Sequence, residues 1–518
     1  MTPEHTRTAT PRLPRRDMLK LGLGLAGAGV GLGGARSPLA QTPQAAAQSS
    51  GIVVAMPRPI RAIDARLHVS TEEQQPFVHL FDGLTWMDES LNVAPGLAES
   101  WESVDPQTWR FKIRQGVKFH NGEDFTAESV KFSFEQYVNM DPPYNYIYLW
   151  DAAWPPEVEV ESDDTVVIHT PAPSPVLLRW ITRFGMLPQA ATDPGFGEAP
   201  IGTGPYKFVE WTLGENVTVE AFPDYWGGAP KIERITWRTI PEAASRLAAL
   251  QAKEIDLAWD VPPEQLDQLT PPDFTVLEYP VSQVGTVPFN FRNTESPTAD
   301  VRVRRAMTMA IDGQGLIDAL LAGKAIASRG LAPQVVYAAA DTGGYPARDI
   351  EGAKALLAEA GYPDGFDATI IFSAGEFPQD TAIMEAIMGQ LSEIGIGATL
   401  TEYDGAEFLE RRDAADWDFT NDGAGAWMGD AQFFIDSAGN IGAYQSDEVV
   451  SLVEQASSAE SDEERVKLLG EAQQMIWDDV PYLWSFDRVS LHGLNARVVG
   501  AEFIPTNRVA FHRAELAG

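Results

Sequence analysis

IGTGPYKFVEWTLGENVTVEAFPDYW, residues 201–226, reads as a tight turn followed by a β-hairpin. Gly202-Thr203-Gly204-Pro205 has the residue types that a reversal of direction needs. Tyr206–Trp211 and Asn216–Ala221 alternate apolar and polar with the period of a strand, and Leu213-Gly214-Glu215 separates them. The stretch closes on an aromatic corner, Asp224-Tyr225-Trp226-Gly227-Gly228.

Working outward, residues 190–199 are rich in Gly, Pro and acid and read as a linker into the hairpin. Before them come strands at 108–114, 117–122, 158–160 and 165–170, and a helix capped by Thr126, whose third residue on is Ser129 where a full capping box has Glu. Residues 77–84 are expected to be helical and 52–55 to form the first strand. After the hairpin come a strand at 232–240 and an amphipathic helix at 242–252. Strands at 276–279 and 287–291 bracket a boundary near 280–285. Helices and strands then alternate as far as 480, which implies an open mixed sheet with helices on its faces. Residues 483–490 and 497–499 return to strand.

The 518 residues are 44% hydrophobic and 22% charged, enough for two or three packed domains. Most of the 14 Trp and 24 Phe are expected in cores, with a minority free to line a wide pocket. A formal net charge of −36 disfavours nucleic acid and anionic lipid. The chain has no cysteine, which removes disulfides, thiolate metal sites, cysteine nucleophiles and a lipidated-cysteine anchor.

Residues 1–47 read as a leader. Arg12, Arg15, Arg16 and Lys20 precede an apolar run, Leu21–Gly34, that is too short and glycine-rich to span a bilayer. Arg15-Arg16 resembles a twin-arginine export signal, with cleavage after Ala40 or Ala47. Gly22–Gly27 has the spacing of a dinucleotide loop but follows no strand and is rejected. Six basic and two acidic residues lie in 1–47, which leaves 32 and 72 and a net charge of −40 in the remainder.

Eight ordered blocks resemble the family 5 periplasmic solute-binding proteins of ABC transporters, the dipeptide/oligopeptide class. They are LFDGL (80–84), APGLAESW (94–101), WRFKIRQGVKFHNGEDFTAESVKFSF (109–134), IGTGPYKFVEW (201–211), DYWGG (224–228), IPEAASRLAALQAKEIDLAW (240–259), DVRVRRAMTMAID (300–312) and AKALLAEAGYPDGF (353–366). The resemblance implies an α/β, two-lobed periplasmic binding protein fold of the type II, cluster C-like kind. Lobe one would be discontinuous, at 48–75, 200–286 and 489–518, with a subdomain inserted at 76–199; lobe two would be 287–488. It implies a receptor, not an enzyme, that captures di- or oligopeptides by lobe closure and delivers them to an inner-membrane permease. The protein would be a periplasmic monomer without lipid anchor, cofactor or metal.

The site implied by the resemblance is Gly425-Ala426-Trp427-Met428-Gly429-Asp430. In peptide-binding relatives a similar Gly-Trp-x-x-Asp segment borders the cleft and its aspartate pairs with the ligand's α-ammonium. The role passes to Asp430, with Trp427 as a cleft wall beside Gly425 and Ala426. Asp430 has a second available role, as the cap of a helix at 431–437. The chain departs from the pattern in reading Ala431-Gln432-Phe433-Phe434 where relatives continue with Asp-Pro. Dipeptide binders also use a basic residue for the ligand carboxylate, whereas SAGEFPQD (373–380) offers Glu376 and no Arg or Lys. Longer peptides, a cationic non-peptide solute, an opine, a metal chelate or a sugar therefore stay open. A secreted hydrolase would need two convergent acids, and no such constellation stands out. Asp418–Gly423 begins like a calcium loop but has Gly429 at the twelfth position and is rejected. Arg302, Arg304 and Arg305 are expected to form salt bridges at a helix start.

Overall fold

The computed structural model describes residues 50–67, 70–140, 155–414, 416–426, 428–440, 442–459 and 461–517; the expected leader lies outside them. The hairpin strands, Tyr206–Thr212 and Asn216–Ala221, pair antiparallel with a bulge between Phe208 and Glu210. Gly214, at φ +84°, supplies the left-handed turn residue.

Its entry turn explains why distant sequence blocks occur together. A Cβ on Gly202 would stand 2.0 Å from the Leu80 carbonyl oxygen, and one on Gly204 would stand 2.5 Å from that of His79. Only glycine lets the turn lie against the end of the helix Thr71–Leu80. His120 accepts from the Gly202 N–H at Nδ1 (3.1 Å) and donates from Nε2 to the Gly204 carbonyl (3.0 Å). Burial lowers its pKa to about 4, so the ring is neutral. The aromatic corner holds Asp82, which accepts from Trp226 Nε1 (2.8 Å) and the Tyr225 hydroxyl (3.2 Å).

The hairpin forms one end of a nine-stranded mixed sheet. Its order is Asp422–Gly425, Phe274–Pro288, Tyr482–Asn495, Leu257–Ala258, Gly51–Met56, Arg234–Thr239, Asn216–Ala221, Tyr206–Thr212, and Ala325–Ala327 also pairs with Tyr482–Asn495. Gly51–Met56 runs parallel to both of its neighbours.

Several boundaries differ from those expected. The helix expected at 77–84 runs Thr71–Leu80, because Ser70 and Glu73 close a capping box at 3.3 and 2.8 Å and start it six residues earlier. The Thr126 cap is reciprocal after all, since Ser129 Oγ accepts the Thr126 N–H at 3.1 Å. The segment at 276–279 and the first two residues of 287–291 belong to one strand, Phe274–Pro288, and the expected boundary is a register shift between Pro280 and Val284. The sheet expected between 287 and 480 is small. Phe366–Phe372 and Ile396–Glu402 pair in parallel, and Phe419 bridges Ile370 to Phe289.

The two long strands pass between hydrophobic clusters. Phe274 and Leu491 pack in a cluster with Leu247 and Leu250. Val287, Trp484 and Phe486, at the other ends, pack with Ile370, Ile387 and Phe419. A third cluster joins Met87 and Leu91 to Phe434 and Ile435. Trp237, Trp259, Trp417 and Trp484 are fully buried, as the composition suggested for most aromatics.

Candidate functional site

The strand Asp422–Gly425 is the terminal strand of the large sheet, paired on one side with Phe274–Pro288. Ala426 continues that pairing by donating its N–H to the Ser282 carbonyl at 2.8 Å. Antiparallel alternation then turns the backbone of Gly423 and Gly425 away from Phe274–Pro288, with the Gly423 N–H donated to the Asp422 carboxylate. Gly423 is sterically required, and a side chain at Gly425 would have to displace Gln283. A Cβ on Gly423 would meet the Glu376 carbonyl at 2.3 Å, and one on Gly425 would meet Gln283 Cγ at 2.9 Å. Among the described residues, Gln283 Oε1 lies buried there with no hydrogen-bond partner. An unpaired strand edge beside an unsatisfied amide oxygen is suited to main-chain recognition of an extended ligand.

The flank of this edge is acidic. Asp380 Oδ2 fixes the loop before it by accepting from the N–H groups of Gly375 (2.7 Å) and Glu376 (3.0 Å). Burial, then Asp380, raises the Glu376 carboxyl. Burial and the neighbouring Glu376 push Asp422 up to about 7, opposed by Arg412. Two half-buried carboxyls, each raised by burial and by an acidic neighbour, favour a proton or a cation.

Beyond the edge the chain turns at 426–429, and Gly429, at φ +58°, donates to Ala426 O at 2.9 Å. Trp427 lies outside the described residues. The turn delivers Asp430 into the interior, where it is 2% exposed. Its Oδ1 accepts from the Gln432 N–H (2.9 Å) and from Arg465 Nη2 (3.1 Å), and its Oδ2 lies 3.1 Å from Arg465 Nη1. The Gln432 contact is the helix-start bond that sequence suggested, and the helix runs Gln432–Asn440. Oδ2 makes its ion contact without a hydrogen bond of good geometry. Tyr337 bridges backbone to backbone with this segment. The guanidiniums of Arg179 and Arg465 lie over the Tyr337 ring at 4.2 and 5.4 Å. Arg179 is anchored on the Leu91 carbonyl at 2.8 Å. A small cavity of about 30 Å³ separates Arg179 and Trp180 from Met428 and Asp430.

Gly425 thus ends the terminal strand, Ala426 continues its pairing, and Asp430, five residues on, is buried against Arg465. The structure adds Arg465, Tyr337, Arg179, Gln283 and Asp422, which sequence reasoning missed. One signal was available: in the helix Asp462–Asp478 the buried stripe Arg465, Leu469, Ala472, Gln473, Ile476 contains a cation, and a buried arginine requires an acid. The Arg302–Arg305 cluster is structural. Arg302 pairs with Asp300, and buried Arg304 donates to the carbonyls of Thr298, Ala299 and Asp479. In the rejected calcium segment, Asp418 accepts the Thr369 N–H at 2.6 Å and Asn421 the Ser373 N–H at 3.1 Å, so both serve the backbone.

Residues 92–445 match the family model "Bacterial extracellular solute-binding proteins, family 5 Middle". The chain is 28% identical over 472 residues to heme-binding protein A of Haemophilus influenzae, covering 83% of this chain and 85% of that one. It is 28% identical over 510 residues to the glutathione-binding protein GsiB of Salmonella typhi, covering 93% and 97%. Its fold matches the structure of HbpA2 from Haemophilus parasuis with a TM-score of 0.80 at 24% identity, over 90% of this chain and all of that one. The chain belongs to family 5 of the ABC-transporter solute-binding proteins.

Proposed function

We propose that this family 5 receptor captures di- or oligopeptides, with the backbone of an extended ligand adding to the open edge of Asp422–Gly425. The supporting observation is that terminal strand, whose Gly425 backbone faces away from its partner beside a Gln283 oxygen that is unsatisfied among the described residues. Main-chain pairing gives affinity without demanding particular side chains. Gly425, Ala426, Trp427 and Asp430 form the ligand-binding segment. Asp430 meets the ligand's ammonium while Arg465 holds the carboxylate in place.

In this reading lobe one comprises 48–75, 200–286 and 489–518, with 76–199 inserted, and lobe two is 287–488. The long strands Phe274–Pro288 and Tyr482–Asn495 are the crossovers, consistent with their passage between clusters. Closure over the ligand selects the form that an inner-membrane permease accepts. The protein works in the periplasm as a monomer without a lipid anchor, exported by the twin-arginine route, and turns nothing over.

A second reading rests on Glu376 and Asp422, whose raised carboxyls favour a solute with a cationic group at the edge. Isothermal calorimetry with a peptide library against the same concentrations of organic cations tests the choice. Submillimolar peptide binding weakened by Asp430→Asn supports the first reading. Binding of the cations alone, abolished by Asp422→Asn, supports the second.

A further inference from the structure

A cavity of about 300 Å³ opens where the helix Asp462–Asp478 ends. Its walls include Met309, Tyr345, Leu356, Trp477, Val480 and Tyr482. That volume is at the lower end of small-molecule pockets, and a mainly apolar wall with a few polar groups is their usual composition.

The walls are held in place independently of any ligand. The rings of Tyr345 and Trp477 meet with centroids 5.0 Å apart at 59°. The Tyr345 hydroxyl is bonded to Ser485 Oγ at 2.9 Å, so the ring is pinned from behind. Val480 sits at φ +54°, a costly conformation for a β-branched residue. It is kept there by its N–H on the Trp477 carbonyl (2.9 Å) and by Arg304 Nε on its own carbonyl (3.2 Å). Thr308 faces the cavity with its hydroxyl already donated to the Arg305 carbonyl at 2.8 Å.

Arg305 and Asp478 stand at this cavity with opposite charges, and Arg305 Nη2 donates to the Asp478 carbonyl at 2.9 Å. That arrangement leaves no net charge to favour an ion. We propose that this cavity is a second binding site, distinct from the solute site, for a small uncharged aromatic molecule whose ring lies against Tyr345 and Trp477. Aromatic walls at such spacing offer edge and face contacts to a flat ring, and the fixed walls lower the ordering cost of binding.

Calorimetry with indole as the probe tests this. The expected result is saturable binding at one site per chain, weakened roughly tenfold by Leu356→Trp, which fills the cavity. Peptide affinity should be unchanged in that variant. Indole-3-acetate and tryptamine, which carry opposite charges, should both bind about fivefold more weakly than indole. Met309→Trp repeats the test if Leu356→Trp does not melt cooperatively, and a wild-type crystal soaked in indole locates the ring without any variant. Absence of saturable binding, equal affinity in the filled variant, competition with peptide, or density away from Tyr345 and Trp477 would each overturn the proposal.

Discussion

Asp430 illustrates how much one side chain's surroundings decide. Its carboxylate starts a helix at Gln432 and neutralises Arg465, and both partners of the ion pair are 2% exposed. Removing one partner of such a pair leaves a buried uncompensated charge. Asp430→Asn should therefore lower stability by about 3–5 kcal/mol in a denaturant titration. The exchange Asp430→Leu with Arg465→Met should restore most of that stability and leave ligand affinity weak. Recovery of both would assign Asp430 a purely structural role. Asp422 makes a pH prediction. Its folded pKa is raised to about 7, so the folded chain keeps a proton that the unfolded chain releases near pH 4. This group's stabilisation is complete below about pH 4 and is lost as pH rises through about 7. Melting curves should show that Asp422→Asn removes this part of the decline; identical pH slopes in both proteins would contradict it. At this scale the motif singled out Asp430 as a candidate. Arg465 was hidden, because 35 residues of chain separate the partners and only folding places the helix against the turn.

At the scale of elements, the hairpin was readable almost to the residue, because alternation and turn glycines are local signals. Its purpose was not. The Gly202 turn lies against the Leu80 carbonyl, a contact that no local pattern announces. Gly202→Ala should destabilise by roughly 3 kcal/mol or more, since backbone oxygen cannot yield as a side chain can. Differential scanning calorimetry measures this, and a change below about 0.5 kcal/mol would remove the steric account. The open edge carries its own test. Peptides N-methylated at the residues that would pair with Gly423 or Gly425 should bind about tenfold more weakly per lost hydrogen bond. Methylation at the alternate residues should matter little. The edge itself was invisible in sequence, because a run such as Asp422-Gly423-Ala424-Gly425 has weak strand propensity and is held by its register with Phe274–Pro288. The same non-locality fused 276–279 and 287–288 into one strand, since pairing with Tyr482–Asn495 continues across Pro280–Val284.

For the whole molecule, the α/β class and family were legible because eight blocks recur in order, and the match over residues 92–445 agrees. The distribution of packing was less so: Met87 and Leu91 share a cluster with Phe434 and Ile435, hundreds of residues away. If the two long strands act as crossovers, ligand should reduce the radius of gyration in solution scattering, with Asp430→Asn shifting the transition to higher ligand concentration. An unchanged radius at saturating ligand would contradict closure. Peptide capture is the central claim, and mass spectrometry of the ligand released from the purified protein tests it most directly. The account predicts one peptide or a family of short peptides in near-stoichiometric amount. A heme, metal chelate, opine or sugar released in their place would contradict it.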